Sequence, residues 1–369
     1  LRNATVPSAW QPLMALSGSP IFASPSRMDS NSLSCRLPGA AMPDVPKLTR
    51  PVLDQGTDET FREIWYEEQD RIGILHFDFY NGAMSTDQCK RLHAAYLAAT
   101  QQPTRVIVLM NDGDTWSNGI HLTMIEAADN AGEESWRNIL AIDDLVEAII
   151  KTRTHLTVSA VQGSAGAGGV ITALAADRVL AREGVIFNPH YKSMGLFGSE
   201  YWTYLLPMRV GEETALALMN SCLPIGMDQT YEIGLIDSVL PRKAFADQVM
   251  AYASMLADDD TYFTNWEIKI EKQDTDEAFK RLPLYRTFEL HEMWRTFHTP
   301  DSPYHQARRD FVYKTSATAT PLHLAKHRQE SGRPSADFVA DKGIVVRLPE
   351  HNIERMQIRE QASTIPIAH

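Results

Sequence analysis

Short apolar runs and amphipathic stretches alternate along the middle of the chain. Val106-Ile-Val-Leu-Met110 is continuous, apolar and largely β-branched, the pattern of a strand buried on both faces. Ile72-Gly-Ile-Leu-His-Phe-Asp-Phe79, Leu156 to Val161, Arg178 to Ala181 and Val185 to Phe187 predict further strands. Thr86 to Ala99 reads as a helix, with Ser85 as N-cap and Asp87 in its first turn. Glu134 to Thr152 lines up Trp136, Ile139, Leu140, Val146, Ile149 and Ile150 on one helical face, and Asp143 is the only break in that stripe. After Pro241 the pattern is all helical. There Phe288, Leu290, Trp294 and Phe297 recur at spacings suited to a packed lid or a trimer-type extension. The expectation is an α/β fold with a helical C-terminal region.

Two of the predicted strands run into glycine-containing turns. Leu156-Thr-Val-Ser-Ala-Val161 leads to Gly163-Ser-Ala-Gly-Ala-Gly-Gly169 and then to a small, apolar helix. Val106 to Met110 leads to Asn111-Asp-Gly-Asp-Thr-Trp-Ser-Asn-Gly-Ile-His-Leu122. Glycine lets a ligand lie against the backbone, and the first amides of a helix have no intrahelical acceptor. Two such turns side by side can offer two N–H groups to one carbonyl oxygen that gains charge during reaction. Tight turns packed into a core would leave the same trace, so neither turn is diagnostic alone.

Composition narrows the partners. The chain has 369 residues, 44% hydrophobic and 22% charged, enough for a sizeable core. A formal net charge of -12 with no dense basic face argues against a nucleic-acid partner. Cys35, Cys89 and Cys222 are isolated, which suits a reducing, cytoplasmic setting without a disulfide framework. No apolar run is long enough to cross a membrane as a helix. Residues 1–57 are rich in Ser, Pro and Ala and read as a disordered leader. An organelle-import segment is the lesser alternative, since Arg2 and Arg27 are the only cations before Asp29. Residues 58–245 form the expected core, 246–328 a helical region and 329–369 a mobile tail. His323 and His327 stand one helical turn apart but lack a third ligand and a general base, so no metal site is expected.

The two turns, with their order along the chain, resemble the oxyanion-hole segments of the crotonase (enoyl-CoA hydratase/isomerase) superfamily. Ala-Ala-Asp177, Phe187-Asn-Pro-His-Tyr191, Arg209-Val-Gly211 and Tyr231-Glu-Ile-Gly-Leu-Ile-Asp-Ser-Val239 fit the same family. Within it, Glu63-Ile-Trp-Tyr-Glu-Glu68, His76 to Ser85, Gly198-Ser-Glu-Tyr-Trp-Thr-Tyr204 and Tyr304 to Lys314 resemble the C-terminal half of the HypX/HoxX hydrogenase maturation factors. The resemblance spans roughly residues 60 to 328 and implies a ClpP/crotonase-like ββα superhelix.

By that resemblance the backbone amides of Ile120 and Gly168 form the oxyanion hole, and Ala83, Asn118 and Gly119 contact coenzyme A. Arg308, Arg309 and Lys314 either hold its phosphates or form a solvated helix face. The two glutamates of the family's hydratases fall on Ile171 and Tyr191. Neither residue can deliver water across a double bond, because Ile carries no proton and Tyr titrates near 10. Tyr191 and Glu200 then become the catalytic candidates, with Glu200 expected at the start of the helix after Gly198-Ser199. There a helix start would lower its pKa and burial would raise it. His121 and His190 read as hydrogen-bonded structural residues, and Asn188 as orienting a neighbour. The HypX-type reaction implied is decarbonylation of formyl-CoA to carbon monoxide and CoA. A separate formyl-transfer domain or hydrogenase maturation proteins would be the partners, because residues 1–57 show no folate-site motif. Another acyl-CoA hydratase, isomerase or hydrolase activity, or a non-catalytic CoA-binding module, stays open. So does the oligomeric state: the superfamily is often trimeric, whereas a C-terminus folded back on its own core suits a monomer.

Overall fold

A computed structural model describes residues 62–315. The expected leader, the expected tail and the end of the 246–328 region lie outside the described residues. The elements are, in order, β1 (Ile64–Gln69), β2 (Ile72–Phe77), α1 (Thr86–Ala99), β3 (Val106–Asn111), β4 (Thr115–Ser117), α2 (Leu122–Glu126) and α3 (Ala131–Lys151). Then come β5 (Leu156–Val161), β6 (Ser164–Gly166), α4 (Gly168–Leu174), β7 (Arg178–Arg182), β8 (Ile186–Asn188), α5 (Trp202–Val210), α6 (Glu212–Ser221), β9 (Ile225–Gly226), α7 (Met227–Glu232) and β10 (Ser238–Leu240). Four helices close the described chain: α8 (Phe245–Ala257), α9 (Asp259–Phe279), α10 (Leu282–His298) and α11 (Pro303–Val312).

A strand–strand–helix unit repeats. The first strand of each unit (β3, β5, β7) enters a six-stranded sheet of order β1-β2-β3-β5-β7-β10, and the second (β4, β6, β8) enters a four-stranded sheet of order β4-β6-β8-β9. Strands β2, β3, β5, β7 and β10 run parallel, and β1 folds back on β2 antiparallel. Alternate side chains of the large sheet serve two cores, which is why β3 and β5 are continuous apolar runs. Val106, Val108, Leu156 and Val158 pack with Phe245, Val249 and Leu256 of α8. Ile107, Leu109 and Val161 face the larger core shared with α1, α3 and α4. Each such residue, fully buried, contributes about 1.5–3 kcal/mol.

Local signals account for most helix starts. Ser85 and Gln88 form the reciprocal capping box of α1. Helix α3 begins three residues earlier than the stripe implied, because the Asn130 side chain accepts from Glu133 N–H at 3.1 Å. Strand β8 is displaced by one residue from the expected Val185–Phe187, and β2 ends at Phe77. Helix α10 lies against α3 of the same chain, burying Leu290 and Phe297 while Trp294 stays 42% exposed. Its Arg286 reaches Asp144 (2.5 Å) and Glu147 (2.6 Å) on α3.

Candidate active site

The small sheet brings the two glycine turns together. Strands β4 and β6 pair in parallel, so the loops that leave them emerge side by side. Gly119 has φ +72°, and a Cβ added there would sit 3.2 Å from the Gly168 amide nitrogen. A Cβ on Gly169 would lie 2.0 Å from the Ser117 carbonyl oxygen. The glycines are what permit this backbone-to-backbone approach.

The amides on either side of the two candidate donors are already engaged. Gly119 N–H donates to Ser117 Oγ at 3.0 Å, and His121 N–H donates to Asn138 Oδ1 of α3 at 3.0 Å. Ala167 N–H, at the strained backbone φ 44°, ψ -125°, donates to the Asn188 carbonyl at 2.8 Å. Among the described residues, no acceptor takes the N–H of Ile120 or of Gly168. Unsatisfied amides flanked by satisfied ones are what an anion or a polarised carbonyl requires.

Against Gly168 stands Glu200. Its side chain is buried, and a Cβ built on Gly168 would fall 2.0 Å from Glu200 Oε1. The other oxygen, Oε2, accepts from the Tyr191 hydroxyl at 2.8 Å and from Ser199 N–H at 3.2 Å. Burial, reinforced by the negative charge of Asp143, pushes the Glu200 carboxyl up to about 8, with Tyr191 pulling the other way. Burial and the Glu200 charge hold the Tyr191 phenol well above its ordinary value, so it acts as a proton-bearing donor.

One expectation about this residue is corrected. Glu200 does not open a helix: α5 begins at Trp202, and Glu200 sits in a left-handed turn with φ 60°. Desolvation, rather than a helix start, therefore sets its ionisation.

Three neighbours of the site escaped the sequence reading. Asp143, the break in the α3 stripe, is buried, and its carboxyl is pushed up to about 6 mainly by burial, with Arg286 opposing. Glu289 of α10 is equally buried and is held well above its ordinary value. Arg286 Nε lies 4.0 Å from Asp143. Asp143 left a signal, a lone acid on an apolar face. Glu289 and Arg286, on a helix of mixed polarity, left none.

The other candidates divide. Asn118 N–H donates to the Gly82 carbonyl and Asn118 Nδ2 to the Asn81 carbonyl, both at 2.7 Å, while Met84 N–H donates to the Gly119 carbonyl at 2.9 Å. The loop carrying Ala83 is thus laced to the loop carrying Asn118, Gly119 and Ile120. Ile171 is buried in α4, and no acid stands at that turn. His121 Nδ1 caps α2 by accepting from Met124 N–H. His190 Nδ1 donates to the Asn188 carbonyl at 2.8 Å. Asn188 Oδ1 is buried without a hydrogen-bond partner among the described residues. Arg308 is buried and donates to Glu126 Oε2 of α2 at 2.6 Å, so it is an internal strut rather than part of a solvated face. Among the described residues no cluster of three His, Cys, Asp or Glu could hold a metal, and no helix is long and apolar enough to cross a membrane. His323 and His327 lie outside the described residues.

Known proteins resemble this chain to different extents. The chain is 46% identical over 278 residues to the hydrogenase maturation factor HoxX of Bradyrhizobium diazoefficiens, covering 74% of this chain and 49% of HoxX. It superposes with a TM-score of 0.69 and 46% identity on HypX from Aquifex aeolicus, crystallised with tetrahydrofolic acid, covering 73% of this chain and 48% of HypX. The chain thus spans about half the length of either protein. An enoyl-CoA hydratase from Bacillus halodurans shares the fold at 17% identity and a TM-score of 0.58, covering 67% of this chain and 99% of that enzyme. Residues 78–314 match the enoyl-CoA hydratase/isomerase family. With its repeated ββα units, two glycine turns in register and this match, the chain belongs to the enoyl-CoA hydratase/isomerase (crotonase) family.

Proposed function

We propose that this protein acts on a short acyl-CoA thioester, with formyl-CoA as the substrate and carbon monoxide and CoA as products. The observation that carries the reading is the Glu200 carboxyl, gripped by Tyr191 and resting on Gly168 beside two uncommitted amides. In this reading Ile120 and Gly168 N–H bind the thioester oxygen, each donor contributing on the order of 3 kcal/mol of transition-state stabilisation. Ala83, Asn118 and Gly119 line the path of the CoA arm.

The chemistry balances without an oxidant. The Glu200 carboxylate takes the formyl C–H proton. The electron pair of that bond stays on carbon as the lone pair of carbon monoxide, and the C–S pair leaves with sulfur. The protonated Glu200 then returns the proton to the thiolate, giving free CoA. Burial suits this role, since a carboxyl raised to about 8 is a stronger base than a solvated one and is also a competent acid near neutrality. Tyr191 stays protonated and steadies the carboxylate form.

Hydration of an enoyl-CoA is disfavoured by the same residues, because the positions of the two hydratase glutamates hold Ile171 and Tyr191. The likeness to HoxX, named as a hydrogenase maturation factor, supports a maturation context, and a formyl-transfer partner is part of this proposal. The test is headspace detection of carbon monoxide after adding formyl-CoA, with Tyr191→Phe and Glu200→Gln as controls. The reading predicts gas from the wild type and little from either variant. A folded, CoA-binding wild type that releases none above background overturns it.

A further inference from the structure

The turn that carries Glu200 is a costly piece of backbone. Gly198, Glu200 and Tyr201 have φ of 97°, 60° and 64°, so two side-chain-bearing residues in succession occupy the left-handed region. Locally, Trp202 N–H to the Ser199 carbonyl at 3.2 Å closes the turn, and Ser199 N–H donates to Glu200 Oε2, but the amides of Glu200 and Tyr201 find no local acceptor. The next helix starts only at Trp202 and has no side-chain cap.

The enforcing contacts come from two distant helices. Asp143 of α3 accepts from Ser199 Oγ–H, 2.8 Å to each carboxylate oxygen, and from Glu200 N–H at 2.9 Å. Glu289 of α10 accepts from Tyr201 N–H at 2.8 Å through Oε2. Its Oε1 accepts from Thr203 N–H (2.8 Å) and Thr203 Oγ1–H (2.5 Å). Adding Ser199 N–H to Glu200 Oε2 and Trp202 N–H to the Ser199 carbonyl, every amide from residue 199 to 203 has its acceptor. The two carboxyls are buried, and each accepts from backbone donors of the turn that an apolar residue of like volume would leave unpaired. Their presence asks for a positional reason.

We propose that Asp143 and Glu289 are positioning residues: a pair of buried carboxylates from α3 and α10 that hold the 199–203 backbone so that Glu200 presents Oε1 to Gly168. The proposal rests on Glu200 being the reacting carboxyl of the function above. It makes α10, an element outside the repeated ββα core, a working part of the site.

Asp143 has a second, electrostatic consequence. The groups facing Glu200 are Asp143 from α3, the Tyr191 phenol from the 191–194 turn, the Cys89 thiol from α1 and, across the turn, Glu289 from α10, with Arg286 beyond Asp143. Of these, the Asp143 charge opposes ionisation of Glu200, and the Tyr191 hydrogen bond favours it.

The experiment uses the full chain in two readouts. The first is carbon-13 NMR titration of the glutamate side-chain carboxyls, with the Glu200 signal identified by its loss in Glu200→Gln. The second is kcat and KM for carbon monoxide release from formyl-CoA. Asp143→Asn removes the opposing charge, so the Glu200 titration midpoint falls by about one pH unit or more. Glu289→Gln can offer an oxygen to only one of its two partner groups. The turn loosens, and kcat drops on the order of 100-fold while KM stays within about threefold. Ser199→Ala, which keeps the Asp143 bond to Glu200 N–H, lowers kcat by roughly tenfold with KM likewise held. An unchanged Glu200 midpoint in Asp143→Asn, or kcat within about twofold of wild type in both Glu289→Gln and Ser199→Ala, overturns the proposal. If Asp143→Asn does not fold, the other two variants decide it. A wild type that makes no carbon monoxide refutes the functional reading instead, and the positioning claim is then judged by the Glu200 midpoint in Glu289→Gln and Ser199→Ala: it falls as the loosened turn admits water, and a midpoint unchanged in both overturns the claim.

Discussion

Replacing Glu200 by Gln should stabilise the protein relative to wild type by an amount that grows as pH rises. In the folded chain the carboxyl sits at about 8 because it is buried beside Asp143, whereas its ordinary value is 4.5. Between these limits the unfolded chain gives up this proton and the folded chain keeps it. The unfolded state therefore binds fewer protons, and wild-type stability falls with pH by about 1.4 kcal/mol per unit. From about pH 5 to about pH 8 the loss attributable to Glu200 is about 4 kcal/mol. Gln mimics the neutral carboxyl: its oxygen accepts from Tyr191 Oη–H and Ser199 N–H as Oε2 does now, and its amide replaces Oε1 against Gly168. The variant carries no such pH term. Asp143 and Glu289 are also raised by burial and give wild type and variant a common slope, so the difference between the two isolates Glu200. Urea denaturation of both proteins at three pH values across this range measures it. Wild type should lose about 4 kcal/mol relative to the variant. Parallel stability curves would show that Glu200 titrates normally, and the desolvation argument would be wrong.

Other outcomes follow from the same geometry. Gly168→Ala places a Cβ 2.0 Å from Glu200 Oε1, so the carboxyl must swing away, and carbon monoxide release should fall at least about 100-fold in a protein that still unfolds cooperatively. Tyr191→Phe removes the donor that favours ionised Glu200, so the acid limb of the kcat–pH profile should move to higher pH; an unmoved limb would sever the link between the two side chains. If Ile171 and Tyr191 stand where hydratases carry their two glutamates, crotonyl-CoA should stay unhydrated by the wild type at any practical protein concentration, judged by loss of its enoyl absorbance. Lys269→Ala should cost about 3–5 kcal/mol in denaturant unfolding, because its buried ammonium joins α9 to the His155 carbonyl and to Asp177, each at 2.7 Å.

The linear pattern carried the scaffold a long way. The continuous apolar run at Val106 announced a strand with two buried faces, and the Ser85 cap announced α1, because both signals depend on neighbours within a few residues. The glycine turns at 119 and 168 were legible for a similar reason: a glycine marks where no side chain fits, whatever presses on it. Of the small sheet, β8 was legible to within one residue, whereas β4 and β6 were not, since each is three residues long and shows no period. Asp143 stood out as an anomaly, but its purpose did not, because its partners Ser199 and Glu200 lie more than fifty residues away.

Residue type and order along the chain thus determined which groups were present: two turns rich in glycine, Tyr191 and Glu200, and no acid at residue 171 or 191, where the resemblance puts a hydratase's two glutamates. Folding alone decided what those groups can do. The Glu200 carboxyl departs from its ordinary ionisation only because α3 and α10 pack around its turn and exclude water. Desolvation and charge–charge coupling depend on what surrounds an atom in three dimensions, and that environment has no signature in the local order of residues.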